Sequence, residues 1–279
     1  MPSQHQGWLC YKFTIMNKKI AIIGGGNLGT AIAQGLVNSG FTKAQHIIIT
    51  KRNIATLKPL EKQGIMVSSD NKEAVRFADF IILAVKPYQV EEVLGGIKAI
   101  LNEKKQVLCS VVTGITIEQM QKIVVKKIPM VRAMPNTAIA IQESMTCICT
   151  RNADGEQLKY VEDLFNQLGR VVMIDEKLMD AATVLGACGT AYAMRYIRAN
   201  IQGGIEIGFD AATASLIAAQ TVKGAAELLL KKGSHPEQEI DKVTTPRGCT
   251  IAGLNEMEHQ GFSSSLIKGI IASYEKIGE

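Results

Sequence analysis

The residues with the clearest chemical use lie near the start of the chain, where Gly24-Gly25-Gly26-Asn27-Leu28-Gly29 follows the apolar run Ile20–Ile23. The spacing is G-x-G-x-x-G, placed at the end of an expected strand and the opening of an expected helix. Gly24 permits a tight turn there, Gly26 removes the Cβ that would meet a pyrophosphate, and Gly29 lets helix and strand approach. The free N–H groups at the helix start, with Asn27 and Leu28 in its first turn, can receive phosphate. An ordinary glycine-rich turn is the competing reading.

The kind of dinucleotide is read from the next strand. A site for NAD places an acid about 20 residues on, to accept from the ribose hydroxyls. Here no Asp or Glu occurs between Gly29 and Glu61, and the second expected strand ends Thr50-Lys51-Arg52-Asn53. A hydroxyl followed by two cations suits a 2′-phosphate, which Arg52 can grip through its bidentate fork. The expected cofactor is NADPH, with NADH as the alternative. The bland reading makes Lys51 and Arg52 a solvated loop.

Further motifs follow in order: Ala84-Val85-Lys86-Pro87, Arg132-Ala133-Met134-Pro135-Asn136-Thr137, Asp180-Ala181-Ala182-Thr183, Gly189-Thr190-Ala191-Tyr192 and Ala218–Ala226. The last is Val243-Thr244-Thr245-Pro246-Arg247-Gly248-Cys249-Thr250-Ile251-Ala252-Gly253-Leu254. Together, from about Met16 to the C-terminus, these resemble the Δ1-pyrroline-5-carboxylate reductases, whose signature is the final motif. The resemblance implies NAD(P)H-dependent reduction of a small anionic cyclic imine to L-proline, the last step of proline biosynthesis. It also implies a homodimer with interlocking helical domains, often assembled into a decamer. Carried over, Gly24, Gly26, Asn27, Leu28, Gly29, Thr50, Arg52, Asn71, Ala84, Val85, Lys86, Pro87 and Glu176 are expected to contact the cofactor. Met134, Asn136, Thr245, Gly248, Cys249 and Thr250 are expected at the substrate.

The sequence departs from the family at several points. Ala138 stands where a Pro is usual, Ala187-Cys188-Gly189-Thr190 where Gly-Ser-Gly-Pro is usual, Arg247 for a Gly, and Cys249 for a small residue that is often Thr. Arg247 puts a charge beside the expected carboxylate site. It can hold the substrate more tightly, widen the range of acids accepted, or point to solvent.

The chemistry asks for little acid–base machinery. A hydride passes from nicotinamide C4 to a carbon made electrophilic by protonation of the imine, so the protein mainly aligns two rings and anchors a carboxylate. Thr245–Thr250 reads as a turn feeding a helix that starts near Thr250, whose N–H groups can bind an anion. The Thr250 hydroxyl is the candidate for proton delivery, against the alternative of a plain N-cap. Cys249 reads as a small packing residue, Lys86 as a cofactor-positioning residue, and His235 and His259 as a turn and an exposed helix residue. Two rival readings remain: a reductase of the β-hydroxyacid dehydrogenase type, for which Lys223 would be the catalytic lysine, and a dinucleotide-binding paralogue without turnover.

The elements that must position these residues divide by texture. From Lys19 to about Asp175, short apolar runs (Ile20–Ile23, His46–Thr50, Phe80–Val85, Gln106–Ser110, Met130–Ala133, Met145–Thr150, Val171–Ile174) alternate with helical patterns. That alternation predicts an α/β fold with a Rossmann-type doubly wound parallel sheet. After it, helical segments run over 177–207, 210–232, 236–243, 250–260 and 263–277, with no strand. The expected division is an extension over 1–15, a dinucleotide-binding domain over 16–176 and an all-α dimerisation and substrate domain over 177–279.

Composition excludes other classes. In the 279-residue chain the net charge of +5 is spread out, with no basic run that would suit nucleic acid. No apolar stretch approaches the ~18 residues that span a bilayer, and residues 1–15 lack the apolar core of a signal peptide. The six cysteines make no CxxC pair, so neither a metal framework nor a disulfide pattern is expected, and a reducing cytoplasm is.

Overall fold

The Ile-rich run before the glycines forms β1 (Ile20–Ile23), and all four of its residues are buried. A strand apolar on both faces has to be covered on both faces, as in the centre of a layered α/β sheet. The computed structural model describes residues 18–278, so the expectation for residues 1–15 lies outside it. It places β1 among β2 (Ile47–Thr50), β3 (Met66–Ser68), β4 (Phe80–Leu83), β5 (Val107–Ser110), β6 (Met130–Met134), β7 (Ser144–Arg151) and β8 (Gly169–Met173). The order is β3-β2-β1-β4-β5-β6-β7-β8. The winding reverses between β1 and β4, and ligands of such sheets bind outside the carboxyl ends of the strands at that point.

The strands are joined through α1 (Asn27–Asn38), α2 (Lys58–Glu61), α3 (Asn71–Phe77), α4 (Val90–Ile97), α5 (Ile117–Val124) and α6 (Gly155–Asn166), with α7 (Met179–Ala182) after the last strand. Side-chain alternation along each strand splits the core into two layers. Ile20, Ile22, Ile47 and Ile49 pack with Ile32 and Leu36 of α1 and Leu164 and Phe165 of α6. Ala21, Ile23 and Ile48 pack on the other face with Val75, Leu94, Ile97 and Met120. Each of the larger side chains, the Ile, Leu, Val, Met and Phe, contributes roughly 1.5–3 kcal/mol on burial, which fixes the strand ends that carry the site.

The structure corrects the sequence expectation at three places. The sheet is mostly but not wholly parallel, because β7 runs antiparallel to β6 and parallel to β8. β3 was not expected; of its three residues only Ser68 is buried. The helix expected over 177–207 is broken by a π-helical turn, Thr183–Cys188, before α8 (Gly189–Glu206). At that break the Thr183 hydroxyl donates to Met179 O at 2.8 Å, a back-bond of the kind that bends helices. By its internal contacts the chain divides into two compact units between Gly186 and Ala187.

The second unit holds α8, α9 (Ala211–Lys232), α10 (Pro236–Val243), α11 (Cys249–His259) and α12 (Phe262–Gly278). Asp210 caps α9 through the Ala212 and Thr213 N–H groups, and Gly233 ends it at φ 64°. His235 does more than turn the chain, since its Nδ1 accepts from the Glu237 N–H at 3.3 Å and caps α10. Among the described residues of this unit only Ala214 and Ala218 are buried. Tyr196, Ile207, Phe209, Met257 and Phe262 line a groove of about 680 Å³. A unit whose apolar faces stay this bare has not finished its core.

One residue carries visible strain. Val125 ends α5 in the left-handed region at φ 62° and is 76% exposed, where a β-branched side chain costs about 1–2 kcal/mol. Val125→Gly is expected to raise the unfolding free energy by about 0.5–1 kcal/mol after the entropic cost of glycine. Urea melts of the two proteins measure it, and a less stable variant would refute the assignment of strain.

Candidate active site and cofactor cradle

Two glycines of the loop are required by the protein itself. Gly24 has φ 117°, and a Cβ there would lie 2.3 Å from Ala84 O. A Cβ on Gly29 would lie 2.1 Å from Gly24 O and 3.1 Å from Ile22 Cγ2. A Cβ on Gly26, by contrast, would meet no atom within 4 Å. It would enter open space in front of α1, where a pyrophosphate fits. Gly24 and Gly25 both donate to Thr50 O, at 3.2 and 2.7 Å, which pins the loop to the end of β2.

Helix α1 is left ready for an anion. Its N-cap is Gly26, with no side-chain cap and no acid in the first turn. Thr30 N–H donates to Gly26 O at 2.9 Å, and the N–H groups of the first turn before it lack intrahelical acceptors. Helices α3, α5 and α6 instead have this need met by Asp70, Thr116 and Asp154. The uncapped dipole end and the glycine cradle fit a dinucleotide pyrophosphate.

The fold brings Thr50, Arg52 and Asn71 together beside this loop. The Thr50 hydroxyl donates to Asn71 Oδ1 at 2.6 Å, which leaves the Asn71 amide hydrogens for another acceptor. Asn53 is engaged by the Ala55 N–H. Arg52 is 80% exposed, and its Nη2 lies 3.5 Å from Oε2 of Glu92, itself 73% exposed. Glu92 comes from α4, far from Arg52 in sequence, and no local pattern announced it. On the other side of the loop Ala84 N–H donates to Ile23 O at 2.8 Å. Val85 and Pro87 follow, and Lys86 keeps an exposed side chain while its N–H donates to Gln89 Oε1.

Farther along the same sheet edge the polar groups are largely engaged. Met134 ends β6, is 5% exposed, and accepts from the Thr113 hydroxyl at 3.9 Å. Asn136 donates its N–H to Ser144 Oγ at 3.1 Å and its Nδ2 to Gly186 O at 3.2 Å. Its Oδ1 accepts from the Ala138 N–H at 3.0 Å. The departure at 138 thus has a consequence, because a proline there has no N–H to donate.

Glu176, expected at the cofactor, has a structural task. Its Oε1 accepts from the Ile117 N–H at 2.6 Å, capping α5, and from Arg132 Nη1 at 3.2 Å. Arg132 is 3% exposed, and its Nη2, 3.9 Å from Asp180 Oδ1, makes no hydrogen bond among the described residues. Sequence reasoning passed over Arg132, although it is the single charge in an otherwise apolar strand. Burial, with Glu176 adding and Arg132 opposing, pushes the Cys149 thiol up to about 11. Burial also raises Cys109 and Cys147, so these three are protonated packing residues at neutral pH.

In the second unit, α11 repeats the pattern of α1. Its N-cap is Gly248, again with no side-chain cap and no acid in the first turn. Gly248 N–H donates to Thr245 O at 2.9 Å, and a Cβ on Gly248 would lie 2.6 Å from Thr245 Oγ1. Arg247 holds φ 61°, a conformation that suits the glycine it replaces. The helix opens at Cys249 rather than at Thr250, so Thr250 is not its N-cap. Both residues are exposed, and the Thr250 hydroxyl has no partner among the described residues. Lys223 lies on an exposed position of α9.

The glycines separate two effects. Gly29→Ala is expected to lower stability by about 1–3 kcal/mol through overpacking. Gly26→Ala is expected to cost ~1 kcal/mol or less, the difference between glycine and alanine at an N-cap, yet to weaken NADPH binding about tenfold or more. Thermal melts and calorimetric titration read the two quantities. Equal destabilisation by both changes, with unaltered binding in Gly26→Ala, would contradict the cradle.

Comparison with known proteins agrees with this geometry. The family described as pyrroline-5-carboxylate reductase dimerisation matches residues 176–279, and that described as NADP oxidoreductase, coenzyme F420-dependent, matches residues 19–114. Pyrroline-5-carboxylate reductase 1 of Dictyostelium discoideum is 48% identical over 269 residues, covering 92% of this chain and 49% of that protein, so the chain spans about half the relative's length. Pyrroline-5-carboxylate reductase 2 of the same organism is 46% identical over 276 residues, covering 93% of this chain and 92% of that protein. The crystal structure of Plasmodium falciparum pyrroline carboxylate reductase with NADP bound has a TM-score of 0.85 at 29% identity, covering 94% of this chain and 97% of that one. With a near full-length relative at that identity and a glycine cradle of the right form, the chain belongs to the pyrroline-5-carboxylate reductase family.

Proposed function

We propose that this chain reduces 1-pyrroline-5-carboxylate to L-proline with NADPH. The observation that carries the reading is a pair of helices, α1 and α11, each opening on a glycine N-cap with no side-chain cap and no acid in its first turn. The reaction needs one anion cradle for the dinucleotide and one for the substrate carboxylate, and the chain has a candidate for each. When bound, NADPH supplies the hydride. The chain's own residues do the rest. The Gly24–Gly29 loop and α1 hold the phosphates, and Thr50, Asn71 and Arg52 favour a 2′-phosphate. Ala84–Pro87 shape the next wall, and Glu176 retains an Oε2 that makes no hydrogen bond among the described residues.

On the substrate side, Thr245, Gly248 and Cys249 form the turn into α11; with the Gly248 N–H engaged by Thr245 O, the first-turn N–H groups from Cys249 onward receive the carboxylate. The Thr250 hydroxyl is free of capping duty and is assigned to hold the proton at the ring nitrogen. In the first unit, Met134 and Asn136 are assigned to the substrate, Asn136 more as a brace than as a donor. Arg247, held in a left-handed turn beside that cradle, adds a cation that favours an acid substrate.

The bare apolar faces of the second unit support a homodimer, with the decamer of the family as a larger assembly. Among the described residues no helix is long and apolar enough to cross a membrane, and the cysteines are free thiols. Both fit the cytoplasm, where we place the chain. Sedimentation at micromolar concentration is expected to find a dimer or larger, and a stable monomer would contradict it.

Absorbance loss of NADPH with 1-pyrroline-5-carboxylate tests the activity. Thr250→Ala is expected to lower kcat/KM about 10²-fold, as for loss of a positioned proton donor. Lys223→Ala is expected to leave it unchanged. Collapse of activity in the lysine variant alone would favour the β-hydroxyacid dehydrogenase type. NADPH binding without turnover would favour a non-catalytic paralogue.

A further inference from the structure

Arg52, the cation placed to hold a 2′-phosphate, has a partner already: its Nη2 lies 3.5 Å from Glu92 Oε2, the two side chains being 80% and 73% exposed. A pair this exposed is weak and readily exchanged. The backbone beneath it is fixed, since Lys51 N–H donates to Ser68 O at 3.1 Å and Thr50 is tied to Asn71. The neighbouring acids are engaged elsewhere, Glu73 by the Ser68 hydroxyl and Asp70 as the cap of α3. Among the described residues Glu92 is therefore the carboxylate placed on the Arg52 guanidinium. It stands in space where the sequence at the end of β2 has no acid to offer.

We propose that Glu92 is a specificity-determining residue that lowers the preference for NADPH over NADH by competing for Arg52. The proposal rests on the nicotinamide-cofactor reading above. A 2′-phosphate carries close to two negative charges at neutral pH. To bind, it has to draw Arg52 away from Glu92 and then sit within reach of that carboxylate, so Glu92 opposes it twice. A ribose 2′-hydroxyl disturbs neither charge and can donate to the carboxylate. Arg52 thus selects for the phosphate and Glu92 against it, and the balance of the two sets the cofactor ratio.

Calorimetric titration of the full chain with adenosine 2′,5′-bisphosphate and with 5′-AMP isolates the 2′-phosphate without turnover. Glu92→Gln is expected to tighten the bisphosphate about five-fold at low salt, less at high salt, and to leave 5′-AMP within about two-fold. Because the effect runs through Arg52, it is expected to shrink in the Arg52→Ala background. The NADPH-to-NADH ratio of kcat/KM is expected to rise in parallel. If the wild type prefers the bisphosphate but Glu92→Gln leaves that preference unchanged or weaker, the role of Glu92 is overturned and the cofactor reading stands. An equal effect in the Arg52→Ala background overturns it likewise. If the wild type does not distinguish the two probes, the NADPH reading itself fails, and the proposal with it.

Discussion

A backbone that has to meet phosphate with its own N–H groups constrains everything near it. Side chains are in the way, so the approach must be made by glycine, and the helix behind must be left uncapped. Gly26 satisfies the first condition and the bare N-terminus of α1 the second. The cost is local. Four residues of β1, buried on both faces, hold the loop rigid, and Thr50 O takes up two of its N–H groups. A close fit between Gly24, Gly29 and Ala84 then leaves one geometry for the turn. The same logic recurs at α11, where Gly248 is held against Thr245. To both α1 and α11, each opening on a glycine cap, the proposed reaction assigns an anion.

The units differ in how they reach stability. The first buries two continuous apolar layers on either side of its sheet. The second has long helices and almost no interior of its own, with apolar side chains such as Leu216, Ile267 and Ile271 left exposed. Helices of this kind gain stability mainly by packing an apolar face, so on the dimeric reading folding and assembly of this unit are one process. The site turn at Arg247–Thr250 lies within that unit, and its order would then depend on assembly.

The parts legible in the sequence are those governed by local rules. The dinucleotide loop could be read because its glycines, the Ile run before them and the helix after them are contiguous. The helix ends at Asp210, Gly233 and Pro236 follow local cap chemistry, which lies open in the sequence. The parts that escaped are set by long-range packing. β3 is three residues at a sheet edge, with too little burial to print a pattern. The antiparallel course of β7 has no local signature, since Cys147 and Cys149 alternate alike in either direction. The π turn at Thr183 interrupts a sequence whose helical periodicity looks unbroken. In the site, the plain N-cap stayed open as an alternative for Thr250 because the distinction between Cys249 and Thr250 as first residue rests on one residue of register. Glu176 was read only as a cofactor contact; its further task as cap and counterion follows from the burial of Arg132 beside it. Glu92 reaches Arg52 only through the winding of the sheet.

The central claim is that the first-turn amides of α1 receive the phosphates. Backbone amide chemical shifts of the isotopically labelled chain, followed during titration with NADPH, test it most directly. The account predicts that the largest shifts fall on Gly26, Asn27, Leu28 and Gly29, with Thr50 and Asn71 following. Saturable binding that leaves those four amides unmoved would contradict it.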